Sequence, residues 1–148
     1  MAHTHTNLLI HVVFSTKGHL PFITKAIKAE LFAYMGGLVK ELKGKPIIIN
    51  GMEDHVHLLI LLPPNVSISD AMRFVKANSS RWAKERFGTN FAWQKGFGAF
   101  SVSRSKVDSV TKYIKNQEEH HKGFDFKREF VSLLDKNDVE YDESYLWD

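Results

Sequence analysis

The spacing of apolar residues near the N-terminus predicts the first strand of a β-sheet. Apolar residues two apart would form one face of this strand, and His11 would lie on the other face. That apolar face comprises Leu8, Ile10, Val12 and Phe14. Residues 47–49 and His55–Leu62 flank a turn-forming segment at 50–54, which predicts a β-hairpin. One further strand is predicted at residues 97–103.

Apolar residues at helical spacing predict three longer helices. The first begins at Thr24, a residue that can cap it, and ends before Gly44. The second begins with a capping box at Ser67, and the third begins with a similar pattern at Ser105 and runs to about His121. The inward stripe of the first helix comprises Ile27, Leu31, Tyr34, Met35, Leu38 and Leu42, and that of the second comprises Ile68, Met72, Val75, Trp82 and Phe87.

The order of these elements predicts the fold class. A β-α-β-β-α-β order, followed by helices, is typical of an α+β fold in which helices pack on a ferredoxin-like antiparallel sheet. A last short amphipathic helix is predicted at about 126–136, and an acidic tail follows at 138–148. No linker, repeat or low-complexity segment interrupts the 148 residues, so we expect one domain over 1–148.

The distribution of charge suggests a polyanionic partner. The net charge is only +3, but five of the 17 acidic residues lie at 138–148, which has no Lys or Arg. The rest of the chain therefore carries 20 positive and 12 negative charges, a net charge of +8. A basic body favours a partner such as a nucleic acid, while the tail would shield that surface or dock on a second subunit. Ordinary solubility explains the same charge equally well.

Two absences exclude several classes of protein. The chain has no cysteine, so it has no disulfide, no cysteine-ligated metal and no thiol nucleophile, and a reducing compartment such as the cytoplasm is expected. Its longest apolar run, at residues 58–62, is far below the roughly 20 residues of a membrane span. We therefore expect a cytoplasmic protein that does not contact the membrane.

The strand that opens with His55 and His57 offers half of a metal site. Residues two apart in a strand share a face, so both imidazoles would project together while Val56 faces the opposite layer. Alone, this pair is no more informative than two surface histidines, and His3 and His5 have the same spacing near the N-terminus. Its position at the start of an apolar strand, directly after a turn, is what suggests a site.

Tyr113 and Gln117 lie one turn apart on the third predicted helix. Side chains four residues apart share a helix face, so a phenol and an amide would project together. A tyrosine beside Val110 and Ile114 is also typical of the rim of a core, with its hydroxyl in water. The pair gains weight only from its combination with the histidines.

Four segments together resemble a known family. They are His11-Val12-Val13-Phe14-Ser15-Thr16-Lys17, Asp54-His55-Val56-His57, Trp93-Gln94-Lys95-Gly96-Phe97 and Tyr113-Ile114-Lys115-Asn116-Gln117. In this order they resemble the HUH-type single-tyrosine transposases of small bacterial insertion sequences, which are named for a His-hydrophobe-His motif. The Tyr-x-x-Asn-Gln spacing looks like the insertion-sequence branch of the family rather than the chromosomal-repeat branch. His19 departs from the pattern, since relatives often carry arginine there.

This resemblance implies a mechanism and a set of residues. It implies that His55, His57 and Gln117 bind Mg²⁺ or Mn²⁺, which would act as a Lewis acid, and that Tyr113 is the nucleophile. The product would be a 5′-phosphotyrosine enzyme with a free 3′-hydroxyl on single-stranded DNA. Relatives act on hairpins near element ends and work as homodimers, in which the tyrosine helix can complete the partner's site. No general base is evident.

Several further residues are candidates for contacts with DNA. The basic candidates for phosphate contacts are Lys17, Arg73, Lys76, Arg81, Lys84, Lys95, Arg104 and Lys112. The candidates for stacking on unpaired bases are Trp93, Phe97 and Phe100. Solvated helix faces and core aromatics explain each of them equally well. His120 and His121 would be favoured in protonated form at a helix C-terminus, and Glu118 and Glu119 would be exposed or approach the metal.

Three other functions compete with this interpretation. Residues 95–100 echo an RNA-recognition signature, but Phe97 and Phe100 are three apart and would face opposite sides of a strand. A histidine-triad hydrolase needs a third histidine where this chain has Leu59. A non-catalytic DNA or RNA hairpin-binding protein derived from a transposase remains open.

Overall fold

A computed structural model describes residues 3–121 and 125–147 of the chain. Its centre is a four-stranded antiparallel sheet in the order β2-β3-β1-β4. The strands are β1 (Leu8–Ser15), β2 (Lys45–Met52), β3 (His55–Leu62) and β4 (Gly98–Ser101). The predicted α+β class is confirmed, because the helices and strands alternate as expected and the strand order is that of a ferredoxin-like sheet.

One face of the sheet, the apolar face, is packed against two long helices. These are α1 (Lys25–Glu41) and α2 (Ile68–Phe87). The fully buried side chains that the sheet contributes to this layer are Val12, Phe14, Val56, Leu58 and Ile60. Since strand residues two apart share a face, the alternation of β1 and β3 fixes which side chains enter this core.

The two long helices begin at the predicted residues. Thr24 lies at the N-cap of α1, although its side chain makes no capping hydrogen bond. Ser67 caps α2 as expected, accepting a hydrogen bond from the Asp70 backbone N–H at 3.0 Å. The first helix ends at Glu41, earlier than predicted, because Lys43 adopts a positive φ of 68° and turns the chain into β2.

The last strand and the third helix differ from their predictions. The strand is shorter than the predicted residues 97–103, and a 3₁₀ turn at Arg104–Lys106 follows it. Ser105 lies inside that turn and does not cap the helix. The helix itself is divided into α3 (Val107–Lys115) and α4 (Gln117–His120) at Asn116, whose φ and ψ are −97° and 31°.

A hydrogen-bonded side chain accompanies this break. Asn50 of β2 donates from Nδ2 to the carbonyl oxygens of Ile114 and Lys115, at 2.9 and 3.2 Å. These carbonyls belong to the last turn of α3, where a helix leaves carbonyl groups without intrahelical partners. The contact fixes the end of α3 to the sheet, on the face opposite to α1 and α2.

The second face of the sheet, the histidine face, is covered partly by α5 (Phe126–Lys136). Phe126, Phe130 and Leu134 of this helix pack on Val13 and Phe100 in a second, smaller core. A side chain at Gly98 would approach Phe130 Cε1 to 2.6 Å, so the absence of one lets α5 lie close to β4. The predicted amphipathic helix at 126–136 is confirmed.

The acidic tail folds back on α5. Trp147 lies 6.0 Å from the Phe130 ring and 5.6 Å from the His19 ring, between ring centroids. Lys127 Nζ lies 5.3 Å from the Trp147 centroid. The tail is thus bound within its own chain as far as Trp147, and Asp148 lies outside the described residues. Within residues 3–121 and 125–147, each helix is too short or too polar to cross a bilayer.

Candidate active site

The two histidines of β3 lie side by side on the histidine face and are both fully buried. The backbone brings them together as predicted, with 5.1 Å between the ring centroids of His55 and His57, while Val56 enters the apolar core. A close crossing in the hairpin precedes them, since a side chain at Gly51 would overlap the His55 carbonyl oxygen. The pair is therefore part of the interior, where polar groups need partners.

Each of these imidazoles is held through its Nδ1 atom. His55 Nδ1 donates to the Asp54 carboxylate at 2.8 Å. His57 Nδ1 lies 2.9 Å from Nε2 of His11, a buried residue of β1. Outer partners of this kind orient the imidazoles of metal sites. Both rings are consequently turned so that their Nε2 atoms face the same region.

That region contains Glu129, a carboxylate from α5 that is only 1% exposed. Its Oε1 atom lies 3.3 Å from His55 Nε2 and 3.1 Å from His57 Nε2. His121 Nε2 also contacts Oε1, at 3.0 Å. Glu129 was not predicted from the sequence, because a single acid on a predicted amphipathic helix has no pattern that distinguishes it from a solvent-exposed residue.

The pair from the third predicted helix also reaches this carboxylate. Tyr113 donates from its hydroxyl to Glu129 Oε2, and Gln117 Nε2 lies 3.3 Å from the same atom. Gln117 is fully buried, and its Oε1 lies 3.0 Å from His55 Nε2. The break at Asn116 does not separate the two side chains. All four residues singled out in the sequence, His55, His57, Tyr113 and Gln117, therefore meet around one group.

Burial and the single negative charge of Glu129 control the ionisation of the site. Burial lowers the pKa of His57 to about 4 and that of His11 to about 3. Burial also opposes charge on His55, but its hydrogen bonds to Asp54 and Glu129 outweigh this and raise its pKa to about 9. A proton on His55 therefore supplies the positive charge that a buried carboxylate requires.

The pKa values of Glu129 and Tyr113 are shifted in opposite directions. Burial alone would raise the pKa of Glu129, but hydrogen bonds from His121, His55 and His57 hold it well below its usual range. Burial, together with the Glu129 charge, raises the pKa of Tyr113 well above its usual value. The site thus contains an ionised carboxylate in contact with a protonated phenol.

The predicted preference for a protonated imidazole is wrong for His120, whereas Glu118 and Glu119 are exposed, which is one of the two expectations for them. His120 Nε2 lies 3.5 Å from Glu129 Oε2, and burial lowers the pKa of His120 instead of stabilising its charged form. Glu118 and Glu119 are exposed, and Glu118 pairs with Lys28 at 3.9 Å rather than approaching the site. His55, His121 and Glu129 form a group that could hold a metal ion, with ligand atoms within 4.8 Å of one another.

A cavity of about 640 Å³ opens beside Tyr113 and Glu129. Ser101, Val102 and Ser103 form one wall, and Lys106 and Lys136 also line it. Neither lysine was among the predicted DNA contacts. Tyr113 lines this cavity, so its phenol is accessible from it.

The eight predicted phosphate contacts are distributed over several surfaces. Arg73, Lys76 and Lys95 line one cavity of about 490 Å³, together with Phe97. Burial lowers the pKa of Lys76 to about 8, and its Nζ donates to the carbonyl oxygens of Lys95 and Gly96 at 3.0 and 2.8 Å. The other five predicted contacts are exposed and lie outside this cavity; they are Lys17, Arg81, Lys84, Arg104 and Lys112. Arg104 lines a separate cavity at the far end of the sheet.

The aromatic candidates are mostly part of the cores. Trp93 is 7% exposed and donates from its ring nitrogen to Ser79, and Phe100 is 5% exposed. Both are too buried to stack on bases, whereas half-buried Phe97 remains available. Phe97 packs toward the apolar face and Phe100 toward the other, as predicted, so these two rings do not form a stacking platform of the RNA-recognition type. His19 packs against Phe126 and Trp147 instead of occupying an open surface.

Comparison with known proteins places the chain among transposases. Residues 4–117 match the family model described as "Transposase IS200 like". Over 133 residues the chain is 29% identical to the transposase for insertion sequence element IS200 of Salmonella typhimurium and to that of Salmonella typhi. The match covers 82% of this chain and 84% of each relative.

Two solved structures share the fold. A crystal structure of a candidate transposase from Deinococcus radiodurans has a TM-score of 0.65 at 20% identity, over 79% of this chain and 95% of that one. A REP-associated tyrosine transposase, bound to a REP hairpin, has a TM-score of 0.61 at 12% identity, over 82% of this chain and 75% of that one. At these identities the likeness concerns the arrangement of helices and strands.

Proposed function

Because this chain belongs to the IS200-like transposase family, we propose that it cleaves and rejoins single-stranded DNA at the ends of an insertion sequence through a 5′-phosphotyrosine intermediate. One observation carries the proposal. The hydroxyl of Tyr113 and the imidazoles of His55 and His57 all contact the same buried carboxylate, so a nucleophile and two metal-ligand nitrogens lie together.

Tyr113 is the proposed nucleophile. Its phenolic oxygen forms a bond to phosphorus, the bond from phosphorus to the 3′-oxygen breaks, and that oxygen takes up a proton as a free hydroxyl. The phenol must lose its own proton during attack, and the hydrogen bond from its hydroxyl to Glu129 Oε2 holds the attacking oxygen in place. Later attack by another 3′-hydroxyl on the phosphotyrosine rejoins the strands without hydrolysis.

His55, His57 and Gln117 are the proposed ligands of a divalent ion, Mg²⁺ or Mn²⁺. The residues fit such an ion, since two imidazole nitrogens and an amide oxygen face one region beside an ionised carboxylate. When bound, the ion would supply Lewis-acid stabilisation of charge on the scissile phosphate. Asp54 and His11 orient the two rings from behind.

The surface around the site suggests how DNA would bind. We propose that the scissile strand enters the cavity beside Tyr113, where Lys106 and Lys136 would contact phosphates. Arg73, Lys76 and Lys95 would bind a second stretch of backbone, with Phe97 under an unpaired base. The hairpin bound to the REP-associated relative supports hairpin ends as the substrate.

The proposed reaction also suggests an oligomeric state and a cellular compartment. Each site holds one covalent DNA end at a time and an element has two ends, so we propose a homodimer. We also propose that residues 1–148 act as one domain and that the enzyme works in the cytoplasm, where it would meet its DNA.

The test is covalent capture of DNA. With Mg²⁺ or Mn²⁺ and a labelled single-stranded hairpin, the protein should form an adduct that survives a denaturing gel. Tyr113→Phe should bind the same DNA without forming the adduct, because it lacks the oxygen that attacks phosphorus. Tyr145→Phe is a matched control, since Tyr145 lies in the acidic tail with 73% of its surface exposed, and it should form the adduct normally. An adduct with Tyr113→Phe would remove the assignment.

A second candidate function is a non-catalytic hairpin-binding protein. One observation favours it, because burial and the Glu129 carboxylate raise the pKa of Tyr113 and so keep the nucleophile protonated. The same gel separates the two candidates. Binding of hairpin DNA by the wild-type protein without an adduct, in either metal, would establish the binding protein.

A further inference from the structure

We propose that Glu129 is a fourth, negatively charged ligand of the divalent ion, supplied by α5. The inference rests on the proposed function, which places that ion at His55, His57 and Gln117. It assigns a role to a residue that lies outside all four motifs of the resemblance and after the last residue of the family match.

The position of the carboxylate supports this role. Glu129 Oε1 lies 3.3 and 3.1 Å from the Nε2 atoms of His55 and His57, which are the atoms that would bind the ion. Its Oε2 lies 3.3 Å from the amide nitrogen of Gln117. Glu129 is therefore in contact with each of the three proposed ligands, and one of its oxygens faces the region that both imidazoles face.

The chemistry of the donor set also favours a carboxylate. Two imidazoles and an amide are neutral when they bind a cation, so they leave its two positive charges uncompensated inside the protein. Mg²⁺ and Mn²⁺ prefer oxygen ligands, and a buried charge needs a charged partner. Glu129 supplies both an oxygen and a negative charge in a position that is 1% exposed.

The packing of α5 indicates that the Glu129 carboxylate would stay at the site when a metal ion binds. Phe126, Phe130 and Leu134 of the same helix are buried in the second core. Phe130 fits against β4 because Gly98 has no side chain. Moving the carboxylate far from the histidines would require this helix to leave the sheet, whereas a small rotation of the side chain keeps it within reach of an ion.

The two carboxylate oxygens of Glu129 would have different partners. Oε1 faces the imidazoles, including that of His121 at 3.0 Å, while Oε2 accepts the hydrogen bond of Tyr113. One carboxylate would thus connect the metal centre to the nucleophile and fix the distance between them. Glu129 is then a ligand toward the ion and a positioning residue toward Tyr113.

The test is Mn²⁺ binding, measured by calorimetry and by electron paramagnetic resonance on the full chain without DNA. Glu129→Gln should bind Mn²⁺ at least about tenfold more weakly than wild type, because even outer partners of metal ligands change affinity by that much. Glu85→Gln, which removes an exposed carboxylate on α2, is the matched control and should bind as wild type does. Thermal unfolding in the presence of a chelator checks that each variant is folded.

The outcomes separate this inference from the proposed function. Wild-type binding that His57→Ala abolishes, with unchanged or tighter binding by Glu129→Gln, would overturn the inference alone. Tighter binding would mean that the carboxylate competes with the ion. Absence of a His57-dependent Mn²⁺ site in the wild type would overturn the metal step and the inference together. If Glu129→Gln does not fold, Glu129→Asp retains the charge on a shorter side chain, and an unchanged affinity and resonance spectrum in that variant would equally overturn the inference.

Discussion

Neighbouring residues of one strand, Leu58 and His57, serve opposite faces of the sheet. Both are fully buried. Leu58 lies in a continuous apolar layer under α1 and α2, while His57 is hydrogen-bonded to His11 and to Glu129. Burial therefore has a different effect on each face of the sheet. On the apolar face it stabilises the fold, and on the histidine face it holds polar groups in fixed positions.

The energetics of the two faces differ accordingly. Burying a leucine side chain contributes about 1.5–3 kcal/mol through removal of apolar surface from water, and the gain needs no particular orientation. Buried polar groups gain little overall, because their hydrogen bonds mainly offset the loss of water. The apolar face should therefore determine stability, and the histidine face should determine activity.

The largest expected effect is on the histidine face. His57→Ala should lower metal-dependent formation of the covalent adduct by at least about a thousandfold, since Lewis-acid stabilisation contributes several kcal/mol to such a reaction. Initial rates of adduct formation on hairpin DNA, at several Mn²⁺ concentrations, measure this loss. The unfolding transition of the same protein in a chelator should remain cooperative.

A control for this variant is present in the chain. His3 and His5 have the same spacing as the site pair but are exposed near the N-terminus. Their joint replacement by alanine should leave the rate unchanged. Equal losses in both variants would show that the two faces do not differ in the way proposed.

The next largest effect is on the apolar face. Leu58→Ala should lower the free energy of unfolding by about 3 kcal/mol, because it removes buried methyl groups and leaves a cavity in a closely packed core. Urea denaturation measures this change, which should appear in the midpoint while the slope stays constant. Well below its unfolding temperature the variant should still form the adduct. A Leu58→Ala protein that is stable but inactive would contradict the division between the faces.

The apolar face was also the part that the sequence predicted best. Alternation in β1 and β3 and the helical stripes of α1 and α2 depend on residues close in sequence, and they identified both the strands and the layer they bury. The predictions were wrong where contacts between residues distant in sequence determine the local structure. The break at Asn116 goes with hydrogen bonds from Asn50, which lies 64 positions before Ile114 in the chain, and sequence spacing holds no sign of that contact.

The histidine face could be predicted only in part. The spacing of His55 with His57, and of Tyr113 with Gln117, is local, and the resemblance to the transposase family, now confirmed, joined the two pairs. Glu129 and His11 were assigned no role, because their importance arises from contacts 72 and 46 residues away in sequence. The roles proposed for these residues remain predictions that the experiments above test.

The smallest expected effect concerns the edge of the apolar face, where Lys76 lies over the Phe14 ring at 5.1 Å. Burial lowers the pKa of Lys76 to about 8, so its charge is present below that pH and is lost as the pH rises through it. If the cavity lined by Arg73, Lys76 and Lys95 binds DNA, the affinity of the protein for single-stranded DNA should fall between about pH 7 and about pH 9. The loss of one phosphate contact should also reduce the salt dependence of log K by about 0.7.

Fluorescence anisotropy with labelled single-stranded DNA, at several salt concentrations, measures both quantities. Lys76→Met should bind more weakly at pH 7 and should lose this part of the pH dependence, because no amine remains to titrate. Lys84→Met is the matched control, since Lys84 lies on the same helix but is exposed, and the pH dependence should persist in that variant. A pH dependence that survives unchanged in Lys76→Met would mean that the apolar face, with its charged edge, contributes stability and takes no part in holding DNA.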